Sequence, residues 1–254
     1  MSASAVSKLT KLTGICPAAH PHALAELTRT HPAPVWLVIH EEAARTDALA
    51  EDIALFQRAA VGKELEILSF PEAQTDNREM REAFNAASDR LAALSRLRSL
   101  ASSTVHRSPS TVFLILTTPA ALLQPVPPPA DFAQRETELQ RGESRPFQAL
   151  LELLRAYDYD SEAVCEAPGQ YAVRGGIVDV YPITAHQPYR LDFFGDTLEE
   201  IKALDPVTQR SGESVERITL TATARLHMGG TQGSLLDYLG SDTHAAIVEP
   251  KAIE

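Results

Sequence analysis

Three short runs of β-branched and aromatic residues constrain the fold of this chain more than any other feature. The runs lie at residues 171–173, 177–181 and 189–194, and turn-forming residues separate them. One separator is the pair Gly175-Gly176, and the other breaks contain proline, glycine or both. Short runs of this composition with such breaks are typical of strands joined by tight turns. The pattern therefore predicts a small antiparallel sheet.

The third run should place two kinds of side chain on opposite faces of that sheet, because side chains alternate along a strand. One face would carry Tyr189, Leu191 and Phe193, and the other would carry Arg190, Asp192 and Phe194. The first set is apolar and is the expected core face. The second face should be wet, so truncating Arg190 or Phe194 is expected to leave the fold intact.

Phe194 would then be an aromatic side chain among charges on a solvent-facing surface. Arg174 directly precedes the glycine pair, where the backbone can bend and leave the guanidinium accessible. Two arginines and an aromatic residue on one sheet have the composition of a binding hot spot. The alternative is that both arginines are ordinary solvated surface and that Phe194 packs under a loop.

The first half of the chain shows a different pattern. Continuous apolar runs at 34–39, 64–70 and 111–116 predict strands buried on both faces. Helical periodicity at 43–59 and 79–100 separates these runs, and a short helix is expected at 23–27. Alternating strands and helices predict an α/β fold with a parallel sheet.

Prolines between positions 125 and 129 predict a stiff boundary after this layer. A helix near 145–156 should then pack on a mixed sheet. Farther on, a helix at 234–239 and a strand at 245–248 are expected to return to the first layer. The predicted divisions are 1–127, 130–222 and 223–254.

Composition excludes several classes of function. The net charge of −11 argues against an extended basic groove for nucleic acid. The apolar runs are far shorter than the ~20 residues of a membrane span, so no membrane association is expected. Cys16 and Cys165 are the only cysteines and have no metal-site or redox spacing, which predicts free thiols, a cytoplasmic location and no metal.

The segments PGQYAVRGGIVDVYP, PYRLDFFGD and LDPVTQRS resemble the signature of the transcription-repair coupling factor family. They match the module that this family shares with the excision-repair protein UvrB. The resemblance implies that the module docks onto UvrA, and the family's contact positions fall on Arg174, Arg190 and Phe194. It also implies a degenerate helicase-like, P-loop-type parallel αβ lobe, interrupted by a smaller α+β domain like the second domain of UvrB.

A helicase lobe normally opens with a phosphate loop, G-x-x-x-x-G-K-[ST]. Here the loop before the first apolar run lacks the second glycine, the lysine and the hydroxyl. After the last apolar run, one carboxylate remains and a proline stands where the catalytic acid should be. The degenerate positions are Gly14, Ala19, His20, Pro21, Glu249 and Pro250.

These observations favour a non-catalytic adaptor of nucleotide excision repair with UvrA as partner, no cofactor and no catalytic residue. Contacts with RNA polymerase and DNA would belong to family regions absent from this chain, and the returning lobe is expected to be incomplete. Two alternatives stay open: a DNA-binding fragment like UvrB, and a helicase-type lobe that binds ATP. Against the first, the segment SFPEAQTDNR has no tyrosine on which DNA bases could stack.

Overall fold

The computed structural model describes residues 9–41, 46–59, 64–73, 80–102, 111–223 and 232–249. The described chain is a mixed α/β protein with a parallel sheet and a larger mixed sheet. The helices are α1 (His20–Thr30), α2 (Thr46–Ala59), α3 (Met80–Ser102), α4 (Pro119–Leu123), α5 (Pro129–Ala133) and α6 (Phe147–Ala156), with 3-10 turns at Pro17–Ala19 and Leu235–Tyr238. The strands are β1 (Val35–Ile39), β2 (Glu64–Phe70), β3 (Thr111–Thr117), β4 (Glu136–Gln140), β5 (Asp160–Ser161), β6 (Gln170–Arg174), β7 (Ile177–Val180), β8 (Tyr189–Phe194), β9 (Thr197–Leu204), β10 (Ser211–Ser214), β11 (Arg217–Thr221) and β12 (His244–Ile247).

The parallel sheet has the strand order β12-β1-β3-β2 and is covered on both faces. Trp36 of β1 packs with Leu24 of α1 and Ile53 of α2 on one face. Leu37, the next residue, packs on the other face in the cluster that contains Leu94 of α3. Consecutive apolar residues are therefore both buried, which is why these strands read as unbroken apolar runs.

The larger sheet has the order β10-β9-β8-β7-β6-β5 and is antiparallel except for the β5–β6 pair. Helix α6 covers one face of it. Leu150 and Leu154 of this helix lie in the same buried cluster as Leu191 of β8. The rings of Phe147 and Phe193 meet edge to face with centroids 5.4 Å apart. This face is the predicted core face, and the mixed sheet with one helix packed on it is confirmed.

The two layers share one hydrophobic cluster, which runs from α3 through β4 to the larger sheet. Glu136 of β4 is buried and pairs with Arg98 of α3, and it also accepts a hydrogen bond from Ser95. The chain leaves and re-enters the parallel layer at adjacent points. Val126 and Gly233 exchange two backbone hydrogen bonds, of 3.0 and 2.8 Å, and beyond them β4 pairs antiparallel with β11.

Most predicted elements are found within a few residues of their expected ends. The short helix expected at 23–27 extends over the whole of α1. The helix expected at 234–239 is found as a single 3-10 turn, which a capping box of Ser234 and Asp237 starts. None of the described helices is both long and apolar enough to cross a bilayer.

Candidate functional site

Strand register in the larger sheet defines a second face, opposite α6, which we call the outer face. Residues paired directly across antiparallel strands share a face. Asp179 of β7 pairs with Arg190 of β8, which pairs with Lys202 of β9. The neighbouring row runs through Arg174, Ile177, Asp192 and Glu200. Alternation along β8 adds Phe194 to the same face, so Arg174, Arg190 and Phe194 do share a surface.

Phe194 is the exposed aromatic of the outer face. It lies at the end of β8, directly before the turn at Gly195, and its partner across the hairpin is Thr197. Its side chain is 76% exposed. The proposed alternative, in which a loop covers Phe194, does not fit this exposure. Single exposed apolar side chains are ordinary on a protein surface, so Phe194 marks a candidate contact surface only together with the arginines of the same face.

Arg174 is exposed at the end of β6, two strands away from β8. Its Nη2 donates one hydrogen bond to the carbonyl oxygen of Ala163, at 3.0 Å. Gly175 follows with φ of +62°, a left-handed conformation that favours glycine. A Cβ on Gly176 would lie 2.9 Å from the backbone oxygen of Phe193. The glycine pair therefore turns the chain tightly beside β8 and leaves the arginine at the rim.

Arg190 departs from the expectation of a free arginine on a wet face. Its Nε and Nη2 donate to the two carboxylate oxygens of Asp179 at 2.7 and 2.8 Å. The Asp179 side chain is 1% exposed and that of Arg190 is 19% exposed. The Asp179 carboxylate raises the pKa of the Arg190 guanidinium above its ordinary value. We therefore predict, against the expectation from alternation, that truncating Arg190 destabilises the fold, because a buried carboxylate would lose its cation.

Loops cover the part of the outer face that lies nearest Asp179. Cys165 is buried, and its Sγ donates to the carbonyl oxygen of Gln170 at 3.3 Å. Burial, together with the nearby Asp179 carboxylate, raises the pKa of the Cys165 thiol to about 12. Gln209 reaches the carbonyl of Cys165 from the loop after β9, at 3.5 Å. The outer face is thus closed around Asp179 and open at Arg174 and Phe194.

The three predicted contact residues lie on one face but are spread across it. Arg190 and Phe194 are four residues apart on β8, which corresponds to about 13 Å between Cα atoms. Arg174 lies two strands from Arg190 and is level with Asp192, which corresponds to about 12 Å between the Cα atoms of Arg174 and Arg190. They form an extended surface and do not touch one another. Such an extended surface suits a protein partner.

Sequence reasoning missed Asp179. A signal for it was present: a carboxylate stands in the middle of the apolar run 177–181, in a strand expected to be central. A charged residue at such a position is buried only if it is paired. Arg190 supplies that pair through its register.

Three of the predicted nucleotide positions, His20, Pro21 and Glu249, lie at the carboxyl edge of the parallel sheet, where such sheets bind ligands. A cavity of about 270 Å³ is lined there by Pro17, Ala18, His20, Pro21, His40, Glu41, Ala48, Leu49, Asp52, Val248 and Glu249. Gly14 lies upstream with φ of +78°, and Pro250 lies outside the described residues. No group of three or more histidine, cysteine or acidic side chains in the described ranges could hold a metal ion.

The backbone at the start of α1 supplies few donors to this cavity. Pro17 and Pro21 have no N–H. The amide of Ala19 donates to the carbonyl of Cys16 at 2.9 Å, and the amide of His20 donates to that of Pro17. A phosphate loop works by presenting free amides and a lysine to the ligand. At these four positions the backbone presents none.

Comparison with known proteins identifies the larger sheet. Residues 137–225 match the model of the UvrB interaction domain, and this range contains all of β6 to β11. The chain carries a UvrB interaction domain. Its relatives include the transcription-repair-coupling factor of Myxococcus xanthus, 30% identical over 217 residues, which is 82% of this chain and 17% of the relative. The factor of Escherichia coli is 31% identical over 119 residues, or 46% of this chain and 10% of that protein.

The chain is also similar to the UvrABC system protein B of Thermus thermophilus. That protein is 30% identical over 80 residues, 32% of this chain and 12% of the relative. The resemblance to the UvrB-homology region of the coupling-factor family is confirmed. The chain spans less than a fifth of the length of each of these relatives. The matched segment is an interaction domain, and the outer face is its candidate contact surface.

Proposed function

We propose that this chain is a non-catalytic adaptor of nucleotide excision repair that binds UvrA through the outer face of its UvrB interaction domain. The observation that carries the proposal is Phe194, exposed beside charged residues inside the matched range. Aromatic and arginine side chains are the residues most often found at the centre of protein interfaces. The Arg174 guanidinium donates to a backbone carbonyl oxygen and not to a carboxylate, so it can form an ion pair with a carboxylate on UvrA.

A titration of purified UvrA tests this site. Truncating Phe194 or Arg174 to alanine should weaken binding by about 2 kcal/mol each, roughly thirtyfold in the dissociation constant. Both variants should keep the thermal midpoint of the wild type, because neither side chain lies in the core. Leu123→Ala is the matched control, since Leu123 is 84% exposed and lies outside the matched range. Unchanged affinity in both test variants would remove the outer face as the site.

We further propose that the parallel layer is a helicase-like lobe whose nucleotide site has been lost. The amides taken up at the start of α1, the prolines at positions 17 and 21, and His20 in place of a lysine support this. The acidic lining residues Glu41, Asp52 and Glu249 would repel phosphates. Calorimetry with Mg-ATP should show no binding in the low micromolar range, about −8 kcal/mol. Binding of that strength would favour an ATP-binding lobe.

Contacts with RNA polymerase and with DNA are proposed to lie in other parts of family members, and the adaptor itself is proposed to work in the cytoplasm. The main alternative is a DNA-binding module, which the similarity to UvrB raises. The net charge of −11 counts against it. Fluorescence anisotropy with damaged and undamaged duplex decides between them, because tight and lesion-selective binding at physiological salt would favour the DNA-binding module.

A further inference from the structure

We propose that Asp179 is a positioning residue for UvrA docking: it holds the Arg190 guanidinium in one orientation from beneath the outer face. This inference rests on the proposed function and adds a residue that does not itself touch the partner. It starts from the two-point contact between the carboxylate of Asp179 and the Nε and Nη2 of Arg190. A bidentate pair fixes the plane of the guanidinium as well as its position.

The pair occupies one edge of the guanidinium and leaves the other edge available. Nη1 lies on the edge away from Asp179 and donates to the hydroxyl of Ser211, at 3.3 Å. Ser211 is exposed at the start of the edge strand β10. The free donors of Arg190 are therefore directed along the outer face toward an exposed strand, where a partner carboxylate or carbonyl can reach them.

Stability alone is a poor reason for a carboxylate at position 179. Its side chain is 1% exposed, and desolvating both charges offsets most of the attraction between them. An apolar pair of the same volume would serve a central strand at least as well. What the ion pair adds is a fixed direction for the arginine, which lowers the entropy lost when a partner binds.

The covered part of the outer face, around Asp179, supports a positioning role for the carboxylate and a contact role for Arg190. Cys165 and the loop carrying Gln209 shield Asp179 from solvent, so the carboxylate is not itself available to a partner. Lys202, the next residue in the same row, pairs instead with Glu200 in a contact whose side chains are 30% and 43% exposed. Two ion pairs thus share one face, and only the buried one can hold an arginine rigidly.

A mutant cycle measured against purified UvrA tests the proposal. Asp179→Asn, which keeps the shape of the side chain, should weaken binding about tenfold by freeing the guanidinium. Arg190→Lys should weaken UvrA binding by a similar factor, because an ammonium keeps the charge but cannot form a bidentate pair with the Asp179 carboxylate. The double variant should bind no worse than Arg190→Lys alone. A merely structural role for Asp179 would instead give losses that multiply.

Glu200→Gln is the matched control, since it removes a carboxylate from the exposed pair on the same face and should leave affinity unchanged. Thermal melts set the working temperature below the midpoint of every variant. A folded Asp179→Asn variant with wild-type affinity would overturn the proposal. Should this variant not fold, Arg190→Lys decides alone, and full affinity with lysine would overturn it. Phe194→Ala separates the docking face from the positioning role. If Phe194→Ala loses affinity for UvrA and Asp179→Asn does not, the outer face remains the docking site and only the positioning role is removed.

Discussion

Replacing Arg190 by methionine should destabilise the fold, although the residue lies on the face opposite the core helix. The substitution keeps the length of the side chain but leaves the Asp179 carboxylate, 1% exposed, without its cation. Breaking a buried pair by removing one partner costs about 3–5 kcal/mol. For a chain of this size that corresponds to a fall in thermal midpoint of about 6–20 °C, at about 2–4 °C per kcal/mol.

Urea unfolding at pH 7 measures this cost, and a double variant locates its source. The double variant Asp179→Leu/Arg190→Met should recover most of the loss, because it removes the stranded charge as well as its partner.

Unfolding of Arg190→Met within about 0.5 kcal/mol of the wild type, the range of ordinary surface substitutions, would refute a structural role for the ion pair. A double variant less stable than Arg190→Met would refute it as well, because the loss would then reflect packing rather than charge. Unfolding curves with equal urea dependence are required for either comparison.

Other expected outcomes follow from contacts around the same sheet. Phe193→Ala should lower stability by about 2–3 kcal/mol, because its ring packs on Phe147 but is only partly buried; urea unfolding measures it. Gly176→Ala should also destabilise the hairpin, since its Cβ would meet a backbone oxygen at 2.9 Å; a melt unchanged from the wild type would contradict this. A thiol reagent at pH 8 should modify exposed Cys16 and spare Cys165, whose raised pKa of about 12 keeps it a buried neutral thiol; mass spectrometry of the labelled chain distinguishes the two.

Periodicity predicted the strands whose residues are either all apolar or alternate between apolar and polar. It failed at β9, the longest strand of the larger sheet. Its buried residues Leu198, Ile201 and Leu204 are spaced by three, as on a helix. The register shift opposite Asp192 and Phe193 explains the interval from Leu198 to Ile201, since a bulge inserts one residue and shifts the alternation. Leu204 lies two residues beyond Lys202 and therefore on the same outer face. A bulge leaves no mark in composition, so this strand could not be recognised from local pattern.

The candidate site also combines features that the sequence predicts with features that it does not. The placement of Phe194 on the face of Arg190 follows from alternation within β8, which a sequence displays directly, whereas Arg174 joins that face through the register of β6, β7 and β8. The partner of Arg190 depends on the register between β7 and β8, two segments joined by a loop of uncertain length in any sequence-based prediction. Asp179 and Arg190 are eleven residues apart, and nothing in their spacing predicts that they face each other. Pairwise contacts of this kind emerge only when strands are aligned.

The two chain segments that connect the layers lie side by side, which matters for replacing the part of the chain between them. Val126 and Gly233 face each other through two hydrogen bonds, and β4 and β11 continue side by side. Directly hydrogen-bonded antiparallel residues have Cα atoms about 5.5 Å apart. Everything between them can therefore be exchanged for a relative's segment through two adjacent junctions, without re-routing a strand of the parallel sheet. Such a chimaera would exchange the whole partner-binding segment as one unit, provided that the donor segment has a carboxylate at the position of Glu136 to pair with Arg98.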